Sequence, residues 1–308
     1  MAAVLAAGFW AVPASGSDVS CGDVISEDTT LTEDLLNCPG NGLEIGADGV
    51  TLDLAGHVVD GTGAGQGIRS HGNSDVEIKG GTIREFGVGV SLGRASSFPG
   101  GVERGTASQR HRLSNLTVRG NVADGISLFR GVDANTLEHN TAIGNGGAGI
   151  VLTEAGQNRV AKNRIEGNDY GVLLVGGAHD NLVVQNKVGT NERVGIAVGL
   201  HPLAPFSDDD NRIERNTVIA NGTDGILVAT AGGANVVEQN RTHRNGDDGI
   251  DVDCGYGSCG PAREVTLTRN DADRNGDLGI EADAGVVDGG RNMARGNGNP
   301  AECVGVAC

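Results

Sequence analysis

Aromatic side chains are scarce in this chain of 308 residues: five Phe, two Tyr and one Trp make up 3% of it. Its interior must therefore be built from Ile, Val, Leu and Ala, as a thin core beside 53 glycines. No window keeps the i, i+3, i+4, i+7 apolar spacing of an amphipathic helix. The apolar stretch from Ala2 to Val12 is too short to span a bilayer, and no other segment qualifies. Basic residues are outnumbered, 23 against 40, for a net charge of −17. That argues against a nucleic-acid or anionic-membrane partner. The seven histidines form no His-x-His or HExxH pattern, and with only two methionines nothing supports copper handling.

What the chain does have is period. Asn140, Asn163, Asn186, Asn216, Asn240, Asn270 and Asn292 follow one another at steps of 23, 23, 30, 24, 30 and 22 residues. Each is followed five residues later by a second asparagine, from Asn145 to Asn297. A Gly-Ile or Gly-Val pair usually comes next, as at Gly149-Ile150, Gly195-Ile196 and Gly249-Ile250. Upstream, Gly42-Leu43, Gly67-Ile68, Gly89-Val90 and Gly125-Ile126 hold the same phase with the asparagines lost. A fixed period of this size means one supersecondary unit stacked many times. Within a unit, Ile213, Ile226 and Val228 show two-residue alternation in very short runs, which predicts about three short strands per turn. The asparagines are expected at the corners, in left-handed backbone conformation and hydrogen-bonded amide to amide along the stack. Ten turns at about 4.8 Å each make a rod roughly 45–50 Å long.

These repeats, with the run from Cys21 through Leu31-Thr-Glu-Asp-Leu35 to Cys38 and the segment Asp48 to His57, resemble the right-handed parallel β-helix proteins of the pectin-lyase-like and NosD-like superfamily. The resemblance implies an all-β right-handed parallel β-helix, a solenoid of about ten turns with a disulfide-clipped N-terminal cap. It is specific for fold and not for activity. The expected organisation is a secretion signal over 1–16, a cap over 17–41, the coil over 42–297 and a disulfide-closed tail over 298–308. The signal is imperfect, since no Lys or Arg precedes its apolar stretch. Six cysteines allow fifteen pairings; local spacing favours Cys21–Cys38, Cys254–Cys259 and Cys303–Cys308. Disulfides agree with an extracellular location.

Three units are longer than the rest, by insertions near Gly93–His111, Gly199–Asp210 and Asp253–Ala262. All follow the Gly-Ile/Val strand, so stacking projects them from one edge, where function is usually placed. Phe98, Phe206 and Tyr256 fall one in each insertion, and Phe129 and Tyr170 flank the same strand in other turns; these rings are candidates to stack on sugar faces, or simply to pack the loops. Acids stack there too: Asp224 with Asp248, Asp251 with Glu281, and Asp253 with Asp283. Like charges one rung apart repel, so a shared proton, a calcium ion or plain solvation must compensate. Asp248, Asp251 and Asp253 are the candidate acid–base carboxylates, with the Asp208-Asp209-Asp210 run nearby and His201 the best-placed histidine. Asp251, Asp253, Glu281 and Asp283 are the candidate calcium ligands. Lys162, Arg215 and Arg269 share a column, with Arg241, Arg244 and Arg274 close by, expected on strands of a different face. An epimerase-type Asp-Pro-His-Asp string is missing, the nearest being His201-Pro202-Leu203.

The expected function is a secreted rod that binds, and in one reading cleaves, an extracellular polysaccharide by hydrolysis or elimination. A non-catalytic glycan-binding module or a purely structural scaffold is the rival. The sequence leaves the sugar and the oligomeric state open.

Overall fold

The computed structural model describes residues 19–93, 108–200, 208–229, 233–253 and 265–308. These residues wind into a right-handed parallel solenoid whose only regular elements are strands. A typical rung has three: Arg212–Glu214, Thr217–Ile219 and Ile226–Val228. Each pairs in parallel with its counterpart one rung on, so the coil has three faces, called here sheets II, III and I in that order. Sheet I has 12 strands, from Val24–Ile25 to Cys303–Val304. Ten of these carry the Gly-Ile type signature; the first and last close the ends. Residues ahead of Gly42 already pair with the first full rung, through Val24↔Glu44 and Leu35↔Val59.

The asparagines form ladders, but not by the expected backbone geometry. The left-handed residue is the one before each asparagine: Lys162 (φ 56°) before Asn163, Arg215 (φ 52°) before Asn216, Gly167 (φ 66°) before Asn168. That turn throws the asparagine side chain inward. Asn186 shows the result. Its Oδ1 accepts from the Asn163 amide N–H at 2.9 Å and Asn163 Nδ2 at 3.0 Å. Its Nδ2 donates to Asn216 Oδ1 at 3.0 Å and to the Val160 carbonyl at 2.9 Å. Every polar atom of a buried amide is thus matched. Asn135, Asn158, Asn181, Asn211 and Asn235 make a third ladder that the sequence reading passed over.

The ladder explains the glycine that follows the second asparagine of a rung. A Cβ on Gly195 would lie 2.6 Å from Asn221 Nδ2 and 2.6 Å from the Gly225 carbonyl. Only a bare Cα lets the second asparagine of the next rung stand there. Inside, the column led by Ile150, Val172, Ile196, Ile226, Ile250 and Ile280 is fully buried. The column beside it tapers from Leu92, Leu128, Leu152 and Leu174 to Val198, Val228 and Val252, then to Ala282. Disulfides Cys21–Cys38 (Cα–Cα 5.4 Å) and Cys303–Cys308 (6.3 Å) clip the two ends. Cys254 and Cys259 lie outside the described residues, as does the segment 1–16.

Candidate functional site

The three insertions begin at one edge. Leu92, Val198 and Val252, where their strands end, share one column of sheet I. Phe98, His201, Phe206 and Tyr256 lie outside the described residues. Phe129 is half-buried just past the strand Ile126–Leu128, at this same edge. Tyr170 is not. It opens the strand Tyr170–Val175, on the opposite edge of sheet I, about 16 Å along the strand direction from the loop roots. The expectation that the aromatics gather on one edge fails for Tyr170 because it precedes the strand, whereas the insertions follow it. There Tyr170 OH accepts from Arg193 Nη1 at 3.1 Å, the guanidinium lies 5.5 Å from the ring centroid, and Arg193 pairs with Asp169 at 3.0 Å.

Between the edges runs an outward column whose chemistry changes along the rod. Between the terminal Val24 and Val304 it carries the ion pair Glu44–Arg69, then Ser91 and Ser127, turns apolar at Val151, Leu173, Ala197 and Leu227, and becomes acidic at Asp251 and Glu281. Alternation points these residues away from the core, yet Ala197 is fully buried and Val151 only 6% exposed. The face is sheltered and apolar where an ordinary solvated face would be polar. The apolar stripe went unnoticed in the sequence; its signal is the residue after each Gly-Ile pair.

The carboxylates gather at the end of that stripe. Asp224, Asp248 and Asp251 place oxygens within 4.8 Å of one another, and Asp247, Asp248 and Asp277 form a second such group. Asp251 thus meets Asp224 and Asp248. Asp253 and Asp283, expected to join it around a cation, lie exposed two positions further along their strands. Burial raises Asp224, and burial with the neighbouring acids Asp247, Asp224 and Glu281 pushes Asp248 up to about 7. Burial, then Asp224, Asp248, Glu281 and Asp253, push Asp251 up to about 8. Two of the acids also have structural work. Asp224 Oδ1 accepts the Asp248 amide at 3.2 Å, and Asp248 Oδ1 accepts the Leu278 amide at 2.7 Å. Asp251 shows no such tie to the backbone among the described residues.

The Asp208–Asp210 run does not join this group. Asp208 is buried and its Oδ1 takes the Gly177 and Ala178 amides at 2.8 and 2.9 Å; Asp209 takes Gly233 at 2.8 Å; Asp210 (φ 55°) is the corner residue before Asn211. Lys162, Arg215 and Arg269 sit at corners between sheets II and III, not on strands as expected, because each precedes a ladder asparagine.

The chain matches the right-handed β-helix region family over residues 34–188, 100–271 and 202–297. It therefore belongs to that family. A comparison with curated proteins finds no match. Among solved structures, the A-module of the mannuronan C-5 epimerase AlgE4 of Azotobacter vinelandii superposes with a TM-score of 0.58 at 20% identity, covering 85% of this chain and 71% of that one. An alginate lyase from Paenibacillus sp. str. FPU-7 gives 0.54 at 13% identity, covering 86% and 92%. The periplasmic alginate epimerase AlgG gives 0.54 at 14% identity, with 84% of this chain spanning 63% of that enzyme. At such identities the likeness establishes the fold.

Proposed function

We propose that the outer face of sheet I, from Tyr170 to Glu281, holds an extracellular polysaccharide along the rod axis, and that the Asp224–Asp248–Asp251 group performs acid–base chemistry on it. The observation that carries this reading is Asp251, an outward carboxyl free of backbone duties among the described residues and pushed up to about 8, so that it keeps its proton at neutral pH. A carboxylic acid beside an ionisable partner is the equipment of glycoside hydrolysis: one protonates the leaving oxygen, the other activates water or attacks the anomeric carbon. Asp251 takes the first role and Asp248 the second. The apolar stripe and Tyr170 offer sugar faces a place to lie. Hydrolysis is favoured over elimination because the largest charges acting on Asp251 are all acidic, which leaves a uronate beside it without a neutralising cation. The structural neighbours that act on alginate make a polysaccharide the natural ligand for such a face. The terminal disulfides fit an oxidising, secreted setting.

Calcium is the other means of holding these acids together, three carboxylates supplying three to six of the six to eight oxygens it takes. Incubation with a polysaccharide panel, with and without chelator, tests both readings. New reducing ends are expected, insensitive to chelation and falling as pH rises above about 8. Asp251→Asn is expected to cut product by roughly a hundredfold or more with an unchanged circular dichroism spectrum. Full turnover in that variant removes the proposal; binding without product from any glycan leaves a non-catalytic module.

A further inference from the structure

In a three-sided coil, the corner between sheets II and III is the vertex opposite sheet I, and its charge is of the other sign. From Lys162 onward the corner residues, one per rung, are Lys162, Gln185, Arg215, Gln239, Arg269 and Arg291, all left-handed and all exposed except the half-buried Gln239. Their amides are pinned to the next rung, Lys162 to the Val184 carbonyl at 3.1 Å, Arg215 to that of Glu238 at 3.0 Å and Arg269 to that of Gly290 at 3.1 Å. The side chains therefore leave a rigid line at one-rung spacing. Beside it, the outward column of sheet III adds Arg164, Lys187 and Arg241.

Carboxylates on this strip are too few for the cations. Glu166 is shared by Arg164 and Lys187, and Asp271 by Arg241 and Arg295, which also reaches Asp273; Arg212 pairs with Glu214 and more distantly with Glu238, the partner of Arg269. Among the described residues, Lys162 and Arg291 have no carboxylate partner, and Arg215 bonds the Gln239 amide oxygen at 2.9 Å. A protein with a net charge of −17 has thus kept a cationic surplus along one edge. With screening over about 8 Å at physiological salt, a ligand on this strip meets the local cations and not the distant acids.

We propose that this strip binds an extended polyuronate, a glycan with one carboxylate per sugar ring, laid parallel to the rod axis. From Lys162 to Arg291 the corner spans five rung spacings, about 24 Å. A rung is close to the rise of one pyranose ring in an extended chain, and a chain whose successive rings alternate in direction turns a carboxylate to the strip at every second rung, the spacing of Lys162, Arg215 and Arg269. Guanidinium groups hold carboxylates in two-point fashion, and the intervening Gln185 and Gln239 amides suit sugar hydroxyls. Duplex nucleic acid, with a charge every ≈1.7 Å, presents far more charge than one narrow strip can answer. Single strands want aromatic platforms, and Phe129 and Tyr170 are on the sheet I side. The site is separate from the carboxyl group on sheet I and does not depend on its reading.

The test uses the whole chain, polygalacturonate, and the same polymer with its carboxyl groups reduced to alcohols. The acid form is expected to bind at least tenfold more tightly than the neutral form. The triple variant Lys162→Gln, Arg215→Gln, Arg291→Gln is expected to lose that tenfold and to show a shallower dependence of affinity on salt, with its melting temperature unchanged. Equal binding of the neutral polymer, unaltered binding by the triple variant, or tighter retention of single-stranded DNA or anionic vesicles each overturns the proposal.

Discussion

The first rungs and the later ones solve the same corners with different chemistry. From Asn121 onward the corner positions are asparagine ladders. Traced backwards, one ladder passes from Asn135 to His111, then to Val76 and Val50; another from Asn140 to Leu116 and Gly81; the third from Asn121 to Phe86. Leu54 packs against Gly81, and Phe86 is the largest fully buried side chain among the described residues. Within the strands Glu77–Arg84 and Arg112–Arg119 the same corner is turned by left-handed Gly80 (φ 71°) and Asn115 (φ 54°), with Gly81 and Leu116 where later rungs have asparagine. Apolar corners gain stability from buried carbon, each independently of its neighbours. Amide corners gain it from a chain in which every member needs the one above and the one below.

Breaking one of each kind tests that difference. Phe86→Ala is expected to cost about 3–5 kcal/mol, the usual figure for emptying a buried ring. Asn186→Ala removes bonds to Asn163, Asn216 and the Val160 carbonyl and strands their buried partners. At about 1–3 kcal/mol for each unsatisfied group, a loss of at least about 3 kcal/mol is expected. The distinguishing measurement is a double variant. Asn186→Ala with Asn216→Ala should cost clearly less than the sum of the two, since they share a bond, whereas Phe86→Ala with Asn216→Ala should add. Additivity in both pairs would mean the ladder is not cooperative.

The junction between the regions carries its own signal. His111 heads a ladder, its amide donating to Asn135 Oδ1 at 2.7 Å and its Nε2 lying 2.7 Å from Ser108 Oγ. Burial pushes its imidazole down to about 4, against the opposing pull of Asp75 and Asp48 and with a smaller push from Arg110. The unfolded chain takes up this proton near pH 6.5 and the folded chain only near 4. Stability is therefore lost as pH falls from 6.5 towards 4 and levels off below, by about 3 kcal/mol in all. His111→Asn should flatten that part of the profile; an unchanged acid slope in this variant would place the proton elsewhere.

How far the sequence reveals this follows from what repeats. Asn186 and Gly195 recur with the rung, so the coil, its phase and the ladders are legible at once. The left-handed residue is not, because Lys162, Gln185, Arg215 and Gly167 share a backbone state and no side chain. Asp251 and Glu281 are visible as vertical neighbours. Asp224 joining Asp251 depends on how far side chains lean between rungs, which spacing does not encode. The placement of Tyr170 on the far edge was readable, since it precedes its strand while every insertion follows one.

A further effect separates sheet I from both sets of corners. Asp251 has the opposite sign of linkage to His111: its folded value is raised to about 8 from 3.8, so the folded state holds a proton the unfolded state has already released. Its contribution is neutral below about pH 4 and becomes a growing penalty as pH climbs to 8. A structural acid would be expected to repay its burial through a backbone bond, as Asp208 does with Gly177 and Ala178. Asp251 has none among the described residues, so Asp251→Asn should raise the melting temperature at pH 8 and leave it unchanged at pH 4. A gain confined to high pH, together with lost turnover, is what a group kept for chemistry at the expense of stability produces. A loss of stability at pH 8 would instead make Asp251 part of the scaffold.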